Sequence, residues 1–436
     1  MANTIGIIAD DLTGANDTAL QFHLKGCNTQ ILFDYDLIPE GQVNTKAWAI
    51  STQTRNIDAK TAYNKVYKTA KTLMGNLKID YLYKKIDSTL RGNIGPECLA
   101  VLDALDWDAA IIVPAFPNEG RITVGGYHLL KGVPLERTEV ARDPGSPIYE
   151  SHIPSLISRQ VETSDIVAHI QLMTVMKGAG PILLEIQNLV KKGKRLIIVD
   201  AVSTTDLEQI SLATEKCSYD LLPVGSAGLA QALTKTWLSD TKHQNLSNTI
   251  PSIPVLVVAG SATNLTRVQI KRIKESDEIE PYIMELKPEE VLSIEPTKDK
   301  IDKIAQQLKS TGCVIVHSIP LEGDISQTLE FAKQEGLNLD NLHGRVSDYL
   351  AKLTSLVNQE QNFILVVIGG ETSYKCCNSI GSRQLQLIDE VDSAIPLCLD
   401  LNAQWIVTKS GNLGTPNTLI NILKYFQKHQ SQKIIK

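Results

Sequence analysis

Short apolar runs, rich in Val, Ile and Ala, alternate with longer amphipathic stretches along almost the whole chain. This alternation predicts repeated strand–helix units, and hence an α/β fold in which largely parallel sheets are flanked by helices. The strands predicted in the first half are residues 5–9, 30–33, 47–51, 81–84, 110–114, 195–200 and 221–224. The helices predicted between them include 15–25, 59–73, 96–105, 181–192 and 227–237.

A change in composition divides the chain. Residues 238–254 are polar, contain proline and have no periodicity, and the alternation starts again after them. The 436 residues, at about 150 per domain, give two or three domains. We therefore predict a first domain over 1–238, a linker over 239–254 and a second domain over 255–436. In the second domain we predict strands at 255–259, 281–285, 313–317, 363–368 and 405–408, helices at 264–274, 301–308 and 346–356, and a last helix.

Composition and charge exclude several classes of protein. With 43 Lys and Arg against 49 Asp and Glu, the net charge is −6, and the chain lacks the basic surface of a general nucleic-acid binder. The longest apolar runs, 255–259 and 363–368, are far shorter than the roughly 20 residues that span a bilayer. The first residues do not resemble a signal peptide, and the seven cysteines lack metal-site spacing. We therefore predict a reduced, cytoplasmic protein with no nucleic-acid or membrane partner.

Two charged clusters follow predicted strands of the first domain, where open parallel sheets bind their ligands. Asp10 and Asp11 end the first strand and precede a Thr-Gly turn. Paired carboxylates at such a place can hold sugar hydroxyls, accept a proton or help to hold Mg²⁺. The alternative is that one of them only caps the next helix.

The second cluster follows the strand at 81–84. Its cations, Lys85 and Arg91, suit an anionic substrate, and Asp87 and Ser88 supply partners for hydroxyl groups. A surface Lys–Asp pair beside a turn would explain part of this run. Arg55, after the strand at 47–51, would by itself be an ordinary surface residue, but beside the two clusters it is a candidate second clamp for a carboxylate.

The strand ends of the second domain are rich in glycine and hydroxyl groups. The three segments are 258–264, 367–373 and 408–416, and in the last we predict that Thr415 caps a helix whose first residue is Pro416. Glycine lets the backbone approach a phosphate closely, and helix N-termini offer free N–H groups to anions. The alternative is three ordinary sheet turns. Neither the P-loop pattern nor G-x-G-x-x-G occurs, so a common dinucleotide site is unsupported.

Several motifs resemble the four-carbon acid sugar kinases. They are IADDLTGANDTALQ, YKKIDSTLRGNIGPE, GVPLERTEVARDPGSPI, IGGETS and KSGNLG. The resemblance covers essentially the whole chain and implies a sugar-acid domain, an ATP domain and an active site in the cleft between them. It implies substrate contacts at Asp11, Arg55, Lys85, Ile86, Asp87 and Ser88, and ATP contacts at Ser261, Gly369, Gly370, Glu371, Thr372 and Gly414. One departure is Asn412-Leu413, where the family usually has Gly-Phe.

The form KIDSTLRGN resembles the branch that phosphorylates D-threonate, to 4-phospho-D-threonate, or D-erythronate. We therefore expect an ATP-dependent kinase in which Arg55, Lys85 and Arg91 orient the substrate carboxylate. We expect Asp10, Asp11 or Asp87 to accept the hydroxyl proton, and Mg²⁺ to bridge the nucleotide phosphates. The alternatives are a 3-oxo-tetronate 4-kinase, a sensor that binds a sugar acid or nucleotide without turnover, and a nicotinamide-dependent oxidoreductase. A homodimer is also expected.

Overall fold

The computed structural model describes residues 3–41, 45–142, 147–238, 250–261, 263–292, 295–321, 326–336 and 342–431. Two compact units follow one another along the chain, Met1–Gln244 and Asn245–Lys436, and we call them the N-terminal and the C-terminal unit. Most of the predicted linker lies outside the described residues. Its last part, 250–254, forms neither helix nor strand.

The N-terminal unit alternates strands and helices as predicted. Its strands are β1 (Ile5–Ala9), β2 (Thr29–Leu32), β3 (Ala47–Ser51), β4 (Tyr81–Lys85), β5 (Ala109–Val113), β6 (Arg121–Val124), β7 (Tyr127–Leu130), β8 (Val133–Pro134), β9 (Val167–Ile170), β10 (Leu196–Val199) and β11 (Leu221–Gly225). Its helices are α1 (Leu12–His23), α2 (Ala59–Asn76), α3 (Ile94–Leu105), α4 (Ile153–Gln160), α5 (Leu172–Val175), α6 (Ala179–Lys191), α7 (Thr204–Glu215) and α8 (Ala227–Trp237).

The main sheet of this unit is parallel and has the strand order β2-β3-β1-β4-β11-β5-β10-β9. Every residue of β1 is buried, as expected of a parallel strand covered by helices on both faces. In register, Ala9 lies beside Ser51 of β3 and Lys85 of β4. The three segments that carry the predicted charged residues therefore leave the sheet side by side.

A small antiparallel sheet, β6-β7-β8, lies between the parallel strands in the sequence. Neither the small sheet nor β9 was predicted, because these strands are only two to four residues long and most of them contain polar residues. The small sheet is tied to the main one through a bridge between Thr123 and Ala201. The Asp200 carboxylate also accepts hydrogen bonds from the Gly125 and Gly126 N–H groups, at 2.8 and 3.0 Å.

The strands of the C-terminal unit also pair with one another. Its strands are β12 (Val255–Ala259), β13 (Tyr282–Glu285), β14 (Cys313–His317), β15 (Ile364–Ile368), β16 (Gln384–Asp392), β17 (Ile395–Asp400) and β18 (Trp405–Lys409). Its helices are α9 (Asn264–Lys274), α10 (Pro288–Val291), α11 (Lys298–Thr311), α12 (Ser326–Gln334), α13 (Leu342–Glu360), α14 (Gly370–Ser379) and α15 (Thr418–Ser431). The strand order is β13-β14-β12-β15-β18-β17-β16, parallel from β13 to β18 and antiparallel beyond it.

The α/β prediction is therefore confirmed for both units. Toward its C-terminal end, this unit differs from the sequence predictions. The antiparallel hairpin of β16 and β17 was not predicted, and α15 begins at Thr418 instead of Pro416. The helix starts late because the Thr415 N–H donates to the Thr418 hydroxyl, at 2.9 Å, in a turn that precedes the first helical residue. Among the described residues, no helix has the length and apolar character needed to cross a membrane.

Candidate functional site

The centre of the charged site in the N-terminal unit is Arg55, whose guanidinium holds the two carboxylates that follow β1. Its Nε and Nη2 donate to the two oxygens of Asp10 at 2.8 and 2.9 Å, and its Nη1 donates to Asp11 Oδ2 at 2.7 Å. All three side chains are largely buried. This planar, two-pronged contact is the geometry for which arginine is suited, so Arg55 is not an ordinary surface residue.

Asp11 also caps α1. Its Oδ1 accepts the Gly14 N–H at 2.8 Å, and its Oδ2 accepts the Thr13 hydroxyl at 2.8 Å. Asp11 therefore caps the helix, but it also pairs with Arg55, so capping is not its only contact. Burial disfavours the charge of the Asp11 carboxylate, but Arg55 and Lys85 outweigh burial and lower its pKa.

Asp87 and Arg91 form a second ion pair in the loop after β4. Arg91 Nε lies 2.6 Å from Asp87 Oδ2, and the Thr89 hydroxyl donates to the same oxygen at 2.5 Å. Burial opposes the charge, but Arg91 and then Arg55 outweigh it and hold the pKa of Asp87 well below its usual range. The loop turns through Leu90, whose φ of 65° is left-handed.

The two consecutive lysines of β4 have different surroundings, because neighbouring residues of a strand point to opposite faces of the sheet. Lys84 is fully buried and pairs with Glu97 of α3, its Nζ 2.7 Å from Glu97 Oε2. Lys85 Nζ lies 3.6 Å from Asp17 Oδ1 of α1. A Cβ atom placed on Gly14 would come within 2.6 Å of both Lys85 Nζ and Asp11 Oδ1, so the Lys85 ammonium reaches the first charged cluster.

Two neutral side chains hold the loops that carry these charges. The Asn93 amide donates to the carbonyls of Thr54 and Ile57 at 2.9 and 2.8 Å, and so joins the loops that follow β3 and β4. The His128 ring is fully buried, and its Nε2 is 3.0 Å from the Ser88 carbonyl. Burial lowers the pKa of His128 to about 4, so the ring is neutral at pH 7.

The structure brings most of the predicted substrate residues together. Asp10, Asp11 and Arg55 are in contact, as are Asp87 and Arg91, and Lys85 lies beside the first group. Ser88 is half-buried. Ile86 differs, because its side chain is 1% exposed and belongs to the hydrophobic core of the unit. Its N–H donates to the Gly225 carbonyl at 2.9 Å. The Ile86 side chain and N–H are therefore already engaged within the protein, and a substrate contact at this residue stays a prediction.

The glycine-rich turns of the C-terminal unit also lie side by side, because β12, β15 and β18 are neighbours. A Cβ atom on Gly411 would lie 2.8 Å from the Ser261 Cβ. Only glycine, which has no Cβ, allows the two segments to approach so closely without a clash. The Gly411 carbonyl accepts the hydroxyls of Thr263 and Thr266 at 3.0 and 3.3 Å. Gly369, with a φ of 118°, lies against Ser261 and turns β15 into α14.

The remaining predicted nucleotide residues occupy different places. Gly370, Glu371 and Thr372 form the first turn of α14, where N–H groups are free to bind an anion. The Glu371 carboxylate pairs with Lys375 at 3.1 Å. Gly414, with a φ of 91°, packs against Thr418 at the start of α15.

Lys409 was not among the site residues predicted from the sequence. It ends β18, is 0% exposed, and donates from Nζ to the Ser410 carbonyl at 2.9 Å. Within the described ranges no carboxylate oxygen lies within 4.0 Å of it. Burial lowers its pKa to about 7. The signal in the sequence is a lysine that directly follows an apolar strand and precedes a Ser-Gly turn.

Asp17, Asn93, Glu97 and His128 were missed as well. Asp17, Asn93 and Glu97 occur within the motifs that identified the family, but nothing in the sequence separates residues that line a site from residues that support it. No three His, Cys, Asp or Glu side chains of the described part of the chain are grouped so as to hold a metal ion.

Two family models match the two units. A sugar-binding N-terminal domain matches residues 5–233, and a nucleotide-binding C-terminal domain matches residues 256–419. The first match contains the whole charged site, and the second contains the glycine-rich turns. Together they cover most of the chain.

Characterised relatives match over nearly their full length. A D-erythronate kinase of Heliobacterium modesticaldum is 30% identical, over 98% of this chain and 97% of its own. A D-threonate kinase of Salmonella typhimurium is also 30% identical, over 97% and 98%. A 3-oxo-tetronate kinase of Burkholderia multivorans is 26% identical, over 94% of each chain.

A crystal structure described as a putative tRNA synthase from Salmonella typhimurium has the same fold. Its TM-score is 0.77 at 23% identity, and the match covers 96% of this chain and 98% of the other. At that identity the likeness concerns the fold alone.

Proposed function

The chain belongs to the four-carbon acid sugar kinase family, and from that premise we propose that it transfers the γ-phosphoryl group of ATP to a hydroxyl of D-erythronate or D-threonate. The observation that carries the proposal is the cluster of Arg55, Asp10, Asp11 and Lys85 at adjacent strand ends, inside the segment that matches a sugar-binding domain. Both relatives at 30% identity are named for these substrates.

The charged site suits a small hydroxylated acid. Carboxylates accept hydrogen bonds from sugar hydroxyls, and we assign this role to Asp10 and Asp11. Lys85 lies 3.6 Å from Asp17, and Arg91 pairs with Asp87. Neither cation is held by Asp10 and Asp11 as Arg55 is, and we assign the substrate carboxylate to Lys85 and Arg91. Arg55 already contacts Asp10 and Asp11. We therefore assign it two roles: it holds these two carboxylates in place, and it adds positive charge to the site.

The C-terminal unit suits the phosphates of ATP. The first turn of α14 offers free N–H groups, and Ser261 and Gly411 border the same place with little side-chain bulk. Lys409 Nζ contacts the carbonyls of Ser410 and Gly411, so its protonated form adds positive charge beside these residues. We propose that Mg²⁺ enters on the nucleotide phosphates, where it would neutralise charge on the β- and γ-phosphates, and we assign it no protein ligand.

Positioning and charge stabilisation are sufficient for this reaction, because phosphoryl transfer requires little covalent chemistry from the protein. The substrate hydroxyl oxygen forms a bond to the γ-phosphorus, the bond from that phosphorus to the bridging oxygen breaks, and ADP leaves. The hydroxyl proton goes to a carboxylate. The sequence predicts that Asp10, Asp11 or Asp87 is this acceptor.

The test is coupled ADP release by the purified chain with a panel of four-carbon acids. The panel contains D-erythronate, D-threonate, L-threonate and 3-oxo-tetronates, and phosphorus NMR of the product locates the new ester. We expect turnover with D-erythronate or D-threonate. Preference for a 3-oxo-tetronate would favour the alternative that the Burkholderia relative represents, and binding without ADP release would favour a sensor.

Substitution of the predicted acceptors tests their roles. We expect Asp10→Asn, Asp11→Asn and Asp87→Asn each to lower kcat/KM by at least 10-fold, because each carboxylate balances an arginine that the substitution would leave partly unpaired. Steady-state kinetics with the preferred acid measures this, with circular dichroism to verify folding. Near-normal turnover in all three folded variants would contradict the assigned site.

A further inference from the structure

The three predicted proton acceptors are all engaged by arginine. Asp10 takes two hydrogen bonds from Arg55, Asp11 takes one from Arg55 and caps α1, and Asp87 is paired with Arg91. Despite burial, the arginines lower the pKa of Asp11 and Asp87 and so oppose the protonation of these two carboxylates. A general base must instead take up a proton during the reaction, and it works best when its pKa lies near the working pH.

Asp17 is a fourth carboxylate at the same place. It lies on α1, its Oδ1 is 3.6 Å from Lys85 Nζ, and its side chain is 24% exposed. The Thr18 hydroxyl donates to Oδ1 at 3.0 Å. Among the described residues it makes no ion pair with an arginine. It thus combines access to solvent with a place beside a lysine already assigned to the substrate.

Burial and the Asp11 carboxylate raise the pKa of Asp17, whereas Lys85 and Arg55 oppose the rise. The elements that pack against α1 turn four ionisable groups toward it: Lys85 and Tyr83 from β4, Arg55 from the loop after β3, and Asp11 at the helix start. Counted with Asp10 and Asp87, the site has four carboxylates against the three cations Arg55, Lys85 and Arg91. An anionic substrate would increase this excess of negative charge.

Resting on the proposed kinase function, we propose that Asp17 is the general base that accepts the proton of the attacking hydroxyl. As the hydroxyl oxygen bonds to the γ-phosphorus and the bond to the bridging oxygen breaks, the O–H proton passes to the Asp17 carboxylate and later leaves to solvent. Lys85 holds the substrate oxygen or carboxylate next to it. Burial raises the pKa of Asp17 to about 6, with Lys85 opposing the shift. This value is close to neutral pH, as general-base catalysis at neutral pH requires.

The experiment compares Asp17→Asn with the unchanged chain, using the preferred acid and saturating MgATP. General-base catalysis contributes about 10²- to 10⁴-fold, so we expect kcat to fall by at least 100-fold while the Kd for the acid, from calorimetry, changes less than about 5-fold. In the unchanged chain kcat/KM should fall as the pH drops below about 6, and this acidic limb should be absent from the residual activity of the variant.

Asp165→Asn is the matched control, because Asp165 is exposed and lies outside the described site. It should retain kcat and the pH profile. Asp17→Glu keeps a carboxylate, and it should retain more activity than Asp17→Asn with a displaced acidic limb.

The outcomes separate this inference from the proposed function. If the unchanged chain releases no ADP with any acid of the panel, the kinase proposal fails and the inference fails with it. If the unchanged chain is active and folded Asp17→Asn keeps kcat within 3-fold, or keeps its acidic limb, only the inference is overturned. Should Asp17→Asn not fold, an unaltered acidic limb in Asp17→Glu would overturn the inference.

Discussion

Each unit buries a lysine side chain completely, but the two lysines have different partners. In the N-terminal unit, Lys84 is fully buried against the Glu97 carboxylate at 2.7 Å. In the C-terminal unit, Lys409 is equally buried, but its Nζ contacts main-chain carbonyls. A buried charge without a counter-ion is costly, and burial lowers the pKa of Lys409 to about 7. An anionic phosphate would be a suitable partner, so we infer that Lys409 serves nucleotide binding at the expense of stability.

Lys409→Met tests this at the residue scale. The pKa of Lys409 lies below its unfolded value, so its burial penalty is largest below pH 7 and disappears as the pH rises toward about 10.4, where the unfolded side chain also loses its proton. We therefore expect the free energy of unfolding of the variant, relative to the unchanged chain, to decrease steadily from pH 7 to pH 10. Urea titrations at several pH values measure this difference.

The same variant should bind ATP about 10-fold more weakly, a loss of ~1.4 kcal/mol, because a positive charge near the phosphates is removed. Lys309→Met is the matched control, since Lys309 is exposed on α11, and it should change neither property. A stability difference that is constant between pH 7 and pH 10 would show that Lys409 does not titrate in this range.

At the scale of elements, the charged site depends on loops that neutral side chains hold in place. The Asn93 amide spans the loops after β3 and β4 with two hydrogen bonds. Gln160 of α4 accepts the Gly95 N–H and donates to the Gly92 carbonyl, both at 2.8 Å. These contacts fix Arg55 on one loop relative to Asp87 and Arg91 on the other, although none of the bridging side chains is charged.

Asn93→Ala should therefore weaken substrate binding without altering the charged residues. Two hydrogen bonds contribute about 1–3 kcal/mol together, so we expect KM for the acid to rise about 10-fold and KM for ATP to stay the same. Steady-state kinetics with each substrate varied in turn measures both values. Asn188→Ala, at an exposed position of α6, is the control, and an equal rise in both KM values would argue against a local effect of Asn93.

The same scale shows what could be predicted from sequence. Strands such as β1, β3 and β12 are predicted to the residue because, buried on both faces, they are continuous apolar runs. The β16–β17 hairpin was missed because its polar residues interrupt such a run. The contact of Arg55 with Asp10 depends on β3 lying beside β1. The order of the strands in the sheet decides this, and the composition of the sequence does not reveal that order. Asp17 was not predicted as a site residue because its position on a helix does not by itself show whether the side chain faces the site.

For the whole molecule, the proposed function divides the two ligands between the two units. The division rests on the family matches, 5–233 and 256–419, and on the different chemistry of the two sets of strand ends. The predicted domain limits, the cytoplasmic location and the homodimer stay predictions. Hydrogen–deuterium exchange can test the division in the intact chain, because a bound ligand slows local opening of the backbone that it contacts.

We expect the preferred acid alone to slow exchange in peptides from 52–57 and 86–93, the loops that carry Arg55, Asp87 and Arg91, and to leave the C-terminal turns unchanged. ADP alone should slow exchange in peptides from 369–373 and 409–414, because there it would engage main-chain N–H groups at the start of α14 and beside Lys409. Peptides from α6, which carries none of the assigned residues, should be unaffected by either ligand. Protection of 52–57 by ADP, with none at 369–373, would mean that the nucleotide binds among the carboxylates of the N-terminal unit, and the assignment of both ligands would then be wrong.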